Sequence, residues 1–317
     1  MSLRSGADDP SSQENPGAPL LAGFARSGNT PNSKAPNLDP TLAKARGERR
    51  RALIVPREHG AWGLLLVPMI TGAGVAFRES GNVFPFVLLL AAALSLFWMR
   101  TPVESLLGTS AIRAESAEER RTVMFAVACL ATIAAMTLGM LLWAGKNRDL
   151  WLIGAAAGAA FVAQAALKKL GRWARMLSEL VGTIGLTSAA PAAYYVITGE
   201  FGRTAWILWA ANFLFAGNQI HYVQLRIHTA KTATMRAKLA RGWTFASGQL
   251  AMAALLCAAA LRGLIPWLAI VAFVPLLFRG WFYFLQKPAP LQVRRLGWSE
   301  LAHAVAFCIL FTLAFAL

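Results

Sequence analysis

The stretch "PREHGAWGLLLVPMITG", Pro56 to Gly72, sets an arginine, a glutamate and a histidine directly before an apolar run. Charged residues in that position either anchor a helix at a membrane surface or line a site. The rest of the chain decides how the run itself is read. Of 317 residues, 56% are hydrophobic and 15% charged, and the mean hydropathy is +0.49. A water-soluble globule of this size could not cover itself with polar surface at that composition, so the chain reads as an integral membrane protein.

A helix crossing a hydrocarbon core about 30 Å thick needs roughly 20 mostly apolar residues. Nine stretches qualify: Glu58 to Phe77, Phe84 to Arg100, Val123 to Ala144, Leu150 to Leu167, Ser178 to Thr198, Thr204 to Val223, Trp243 to Leu261, Leu264 to Leu285 and Ser299 to Leu317. The seventh and eighth are divided only by "RGLIP". The expected fold class is all-α, a polytopic transmembrane bundle of about nine helices. Loop charge tests this count, because short cytoplasmic loops carry the excess of Lys and Arg. Basic clusters precede span one (Arg46, Arg49, Arg50, Arg51, Arg57) and follow spans two, four, six and eight, whereas the other loops are poor in them. Strict alternation predicts a cytoplasmic N-terminus and an external C-terminus in the cell (inner) membrane.

Residues 1–50 read as a disordered cytoplasmic tail and 51–317 as the polytopic transmembrane domain. The tail is rich in Ser, Pro, Gly, Asn and Ala, a composition that buries too little surface to offset its ordering entropy. "PLLAGFA" is too short and too late for a signal peptide, so the tail is expected to be retained. The net charge of +16 points away from nucleic acid here, because the basic residues lie between apolar runs and form no single patch. The expected partner is the lipid bilayer. Cys129, Cys257 and Cys308 fall inside apolar runs with no ligand spacing and read as packing residues.

Polar residues recur where the spans enter the membrane. Pro56 suits a first helical turn and Glu58 the positive end of a helix dipole. His59, Trp62, Gly63 and Leu66 then share one face, either as interfacial anchors with a glycine for close packing or as part of a site. "LSELVG" (Leu177–Gly182) and "WSELAH" (Trp298–His303) each present a capping-type serine before a glutamate. Ser178 and Ser299 are adequate N-caps; Glu58, Glu179 and Glu300 would ring a cavity if their helices were neighbours. Span six ends in "NFLFAGNQIHYVQLRIH" (Asn212–His228), where Asn218, His221, Leu225 and His228 fall on one stripe, and intramembrane polar groups normally face protein or water. Span two closes in "FWMRTP", with Arg100 at the negative helix end and Pro102 ending it. Arg100 and Arg226 would sit at similar depth and either hold an anion or snorkel to headgroups.

Pro56–Leu317 resembles the YwiC-like family of bacterial membrane proteins. The likeness rests on Pro56–Gly72, "RTP" at Arg100–Pro102, "ELVGTIGLTSAAPAAYYVITG" at Glu179–Gly199 and "LGWSELAH" at Leu296–His303. His59 to Trp62, His-Gly-Ala-Trp, is its most specific element. The helix from Glu179 to Gly199 is also similar to the "ELxG…AP…Y…G" helix of UbiA-type intramembrane prenyltransferases, which have about nine helices around a cytoplasmic-side cavity. In that family two aspartate-rich motifs, near the ends of helices two and six, bind magnesium and a prenyl diphosphate. The matching regions here, "FWMRTPVES" and "GNQIHYVQLRIH", contain no aspartate, and none occurs between Asp39 and Asp149 or after Asp149. The resemblance therefore implies a bundle and a cavity position, without a magnesium-diphosphate reaction.

These readings converge on a cytoplasm-facing cavity that binds a lipid-like or isoprenoid ligand. Its polar end would be met by Arg57, His59, Arg100, Asn218, His221 and Arg226, and Glu58, Trp62, Glu179 and Glu300 complete the candidate set. No metal ligands and no cofactor are indicated; haem ligation by His59 and His221 has no further motif behind it. The alternative is a transporter for a small polar solute, with Pro68, Pro191 and Pro275 breaking helices at a midplane site. Charge deep in the spans reads as nearly absent, which weighs against ion coupling.

Overall fold

Apolar runs bounded by charged, glycine or proline segments fold here as helices, as seen in a computed structural model of the chain. It describes residues 40–55, 59–79, 82–108, 110, 112–145, 148–171, 174–230, 232, 234–286 and 291–317, and at 40–43, 59–61, 148 and 175 the backbone alone. In chain order the helices are α1 (Pro40–Ile54), α2 (His59–Ala76), α3 (Phe84–Leu106), α4 (Ala117–Trp143), α5 (Arg148–Lys169), α6 (Arg175–Thr187), α7 (Ala189–Thr198), α8 (Arg203–Thr229), α9 (Met235–Arg241), α10 (Trp243–Leu261), α11 (Trp267–Val271), α12 (Val274–Leu285) and α13 (Val293–Ala316). Two units divide the chain, Met1–Lys44 and Ala45–Leu317, and every helix from α2 onward lies in the second.

Among the described residues seven helical segments are long and apolar enough to cross a membrane: α3, α4, α5, the α6–α7 pair, α10, the α11–α12 pair and α13. The first predicted span contributes a shorter apolar helix, Trp62–Ala76, and the sixth is α8, of 27 residues, whose amides and histidines lower its hydropathy. The chain is a multi-pass membrane protein. Outward faces agree with lipid contact: Phe125 and Met136 of α4 are exposed, as are Trp151 and Val162 of α5, a density of large apolar groups that water would not tolerate.

Two of the three span prolines mark interruptions. Pro191 follows the break at Ser188 between α6 and α7, and Pro275 opens α12 after the break from α11. Pro68 lies inside an unbroken α2. Pro102 also lies inside its helix, and does not end it: α3 continues to Leu106, without the one backbone bond to the Trp98 carbonyl that a proline cannot donate. The "RGLIP" division is real, with Gly263 at φ +62° turning the chain out of α10 into Pro266, the residue before α11.

Helix α2 occupies the centre, packing on α7, α13, α6 and α8. Small residues allow this. A Cβ at Gly72 would lie 2.1 Å from the Ala190 carbonyl oxygen of α7, and one at Gly74 would lie 2.6 Å from Thr312 Cγ2 of α13. Gly63, which shares a face with His59, is different: nothing among the described residues lies within 4 Å of such a Cβ. Phe215 of α8 stacks on Phe307 of α13 at 4.1 Å, and Phe273 meets Phe307 edge-on at 5.1 Å. Asn212, fully buried, donates from α8 to Thr71 Oγ1 of α2 at 2.9 Å.

Cross-links at each end fix which loops lie together. At one end Arg203 donates to the Gly263 carbonyl at 2.8 Å and Arg78 to that of Phe315. At the other, Ser178 of α6 donates to Gln164 O of α5 at 3.1 Å, and Lys238 of α9 to Gln286 O at 2.8 Å. Helix α1 is held at this second end, with Arg49 Nε bonded to Glu119 Oε1 at 2.6 Å, Arg50 paired with Glu118 and Trp98 Nε1 donating to Ile54 O at 2.9 Å. Among the described residues, Arg49, Arg50, Lys168 and Lys238 belong to this end.

Candidate functional site

A cavity of about 860 Å³ opens among α2, α3, α5, α6, α8 and α13 at the basic end of the bundle. Its polar lining is Arg100, Gln164, Lys168, Ser178, Glu179, Thr183, Gln219, Gln224 and Glu300. The geometry follows from the helix starts and ends. The Gln164 side chain of α5 lies over Gly182 of α6, because Gly182 and Gly185 bring the two helices close: a Cβ at Gly182 would lie 2.2 Å from Gln164 Nε2. Gln224 Nε2 donates to Glu179 Oε2 at 3.1 Å and to Oε1 at 3.3 Å, tying α8 to α6. Arg100 Nε bonds Glu104 Oε1 one turn further on, at 2.9 Å.

A second cavity, of about 490 Å³, runs between α3 and α5 over α6–α7 and is lined almost wholly by apolar residues such as Leu89, Leu96, Phe97, Ile153, Phe161 and Ala192. Arg100, Gln164, Gly182 and Leu186 line both cavities. Towards the side, α3 packs on α4 and α7, and α5 on α6 and α7, and among the described residues α3 and α5 make at most slight contact with each other. Leu96 and Phe161 on its walls are 45% and 48% exposed.

Of the residues singled out in the sequence, Arg100, Glu179 and Glu300 are brought together around the large cavity. Arg57 and Glu58 lie outside the described residues, and His59 is described only as the first residue of α2. Trp62 packs edge-on against Phe97 at 4.9 Å and Trp98 at 6.2 Å on α3. Asn218, His221 and Arg226 do not line the cavity. The face of α8 turned to it carries Ile220, Val223, Gln224 and Ile227. Of the expected stripe Asn218, His221, Leu225 and His228, His221 meets Phe245 of α10 at 5.2 Å, Leu225 is buried in the same cluster as Phe245, and His228 bonds the Gln224 carbonyl at 2.8 Å. Arg226 lies over the Tyr283 ring at 4.8 Å and donates to Tyr222 Oη at 3.3 Å.

The two capping serines are also placed differently. Helix α6 starts at Arg175 and α13 at Val293, so Ser178 and Ser299 are helix-interior residues, and Glu179 and Glu300 stand a turn or more inside. The sequence reading missed Arg279 altogether. This arginine of α12 is buried and pairs with Glu300 Oε1 at 2.5 Å, with its guanidinium 4.0 Å from the centre of the Tyr222 ring. An ionisable residue within an apolar run, here "LLFRGWF", is the signal that could have found it.

No curated protein and no solved structure matches the chain, so the likeness to prenyltransferases rests on the quoted sequence motif alone. The model of the YwiC-like protein family matches residues 55–194, which carry α2 to α7 apart from the last turn of α7 and hence one wall of both cavities. Over that segment the chain is similar to the YwiC-like family.

Proposed function

We propose that the protein binds a lipid-like amphiphile, its polar head in the large cavity and its tail in the apolar one. The observation that carries this reading is the shared neck of Arg100, Gln164, Gly182 and Leu186, since a polar chamber opening into an apolar one has the two-part chemistry of such a ligand. The slight contact between α3 and α5 supports it further, because a tail can reach that cavity from the bilayer side without the head crossing the bundle. The basic end faces the cytoplasm in this reading, in keeping with the loop charges.

Head recognition falls to the cavity's amides and charged groups, Arg100, Lys168, Glu179 and Gln224 among them, acting within a partly desolvated space where each polar contact counts for more than in water. An isoprenoid is one suitable tail, and a transferase acting without the aspartate motifs is the enzymatic form of the proposal. The protein purified in mild detergent is expected to retain a stoichiometric amphiphile detectable by mass spectrometry, with occupancy reduced by Glu179→Ala. A protein that carries no amphiphile and takes up none from mixed lipid vesicles contradicts the proposal.

A further inference from the structure

Seven buried side-chain atoms have no hydrogen-bond partner among the described residues, and six of them belong to four residues: Asn218 Oδ1, Gln249 Nε2 and Oε1, Arg279 Nε and Nη2, and Glu300 Oε2. Those residues meet at one junction. Arg279 of α12 bonds Glu300 of α13 and lies over Tyr222, one turn beyond Asn218 on α8. Gln219, beside Asn218, donates to the Glu300 carbonyl at 3.0 Å. Gly280, next to Arg279, abuts Gln249 of α10 so closely that a Cβ would lie 2.7 Å from Nε2. An unsatisfied buried polar group costs about 1–3 kcal/mol, more when charged, and native interiors carry few of them. Six at one four-helix junction mark a place built for a polar guest.

Of the six open atoms three donate, Arg279 Nε and Nη2 and Gln249 Nε2, and three accept, Asn218 Oδ1, Gln249 Oε1 and Glu300 Oε2; the donors set the chemistry of the guest, and the acceptors are left to its protons or to water. Nε–H and Nη2–H of a guanidinium point along the same edge, the edge that matches two oxygens borne on one centre. In Arg279 that whole edge is open, while Nη1 is taken by Glu300. Gln249, only 1% exposed, adds an amide donor. The surrounding charge has the same bias. Arg226 Cζ and Lys238 Nζ each lie 4.8 Å from the Tyr283 ring centre, and that ring meets Tyr222 at 5.9 Å. Three cations thus surround the tyrosine pair against one carboxylate, Glu300. Burial, with Arg226 nearby, pushes the Lys238 ammonium below its ordinary range, as expected where positive charge lacks a counter-ion.

We propose that the junction of α8, α10, α12 and α13 is a second site that binds one oxyanion, a carboxylate or a phosphate, side-on against Nε and Nη2 of Arg279 and under the Gln249 amide. Glu300 holds the other edge of the guanidinium and so fixes its plane. Glu300 and Gln219 also line the large cavity, which places this site beside that cavity's wall. The site does not depend on amphiphile binding, and the two can fail separately.

Calorimetric titration of the full-length, detergent-purified protein with inorganic phosphate and, separately, with acetate tests it. Saturable binding of at least one is expected, and which one binds identifies the source of the oxyanion. Arg279→Lys keeps the charge but loses the fork and should weaken binding about tenfold, the worth of one charge-assisted hydrogen bond. Gln249→Leu should weaken it in the same direction and serves on its own if Arg279→Lys is not monodisperse. Arg262→Gln, an exposed change at the opposite end, should leave binding intact. Wild-type protein that binds neither anion saturably overturns the proposal, leaving water alone at the junction. So does an affinity untouched by the first two variants, or lowered equally by Arg262→Gln.

Discussion

Gly182→Leu is the most informative single substitution for the two-chamber reading. Gly182 lines both cavities, and a Cβ there would lie 2.2 Å from Gln164 Nε2 and 2.5 Å from its Cδ. Gln164 can swing away, but it too lines both cavities, so the displaced amide and the new isobutyl group together fill the neck. Burial of each methylene contributes about 0.8 kcal/mol, close to fourfold in affinity. Wild-type affinity for amphiphiles of one headgroup should therefore climb about fourfold per added methylene until the apolar cavity is filled. If the plugged neck excludes even four methylenes, the loss is about 3 kcal/mol, or roughly two-hundredfold. Helix propensity works in the variant's favour, since leucine exceeds glycine by up to about 1 kcal/mol in a helix interior. Displacement of a fluorescent long-chain amphiphile from the detergent-purified protein by a chain-length series gives the slope. A flattened slope in monodisperse Gly182→Leu, beside a normal slope in Gly139→Leu, where nothing described lies within 4 Å, is the expected result. A monodisperse variant with the wild-type slope refutes the reasoning.

Other consequences follow from contacts in the bundle. Gly72→Ala forces a Cβ towards the Ala190 carbonyl and should destabilise the α2–α7 crossing by about 2 kcal/mol, within the range for overpacked cores, whereas Gly63→Ala should be neutral or slightly stabilising; thermal unfolding in detergent distinguishes them. Glu300→Ala strands Arg279 in a buried setting and should cost about 3–5 kcal/mol, while Arg279→Met combined with Glu300→Leu should recover most of that loss, measurable by the same assay. For orientation, a phosphatase fused after Leu317 should be active outside the cytoplasm and one fused before Ala45 inactive; the reverse pattern inverts the proposed topology.

Bundle character was legible because hydrocarbon demands long apolar runs. Interior detail was less so, for reasons particular to each residue. A serine–glutamate pair reads as an N-cap wherever the apolar pattern begins, but α13 extends outward through Arg294 and Arg295, beyond the apolar stretch, so Ser299 becomes interior. The stripe Asn218–His221–Leu225–His228 follows from helical periodicity. Periodicity gives no indication of which neighbour that face meets, and it meets α10. Arg100, Glu179 and Glu300 came from separate helix ends, where depth along the bundle is legible. Arg279 was overlooked because its flanks are apolar, and its partner lies on the following span.

Tail placement tests the central claim most directly. A lipid carrying a photoreactive group near the end of its tail, incorporated with the protein into vesicles and activated by light, should form adducts enriched at Leu96, Phe161 and Ala192 in the apolar cavity. Enrichment should disappear in Gly182→Leu. Labelling confined to outward residues of α4 such as Phe125 and Met136, with none in the cavity, would contradict it.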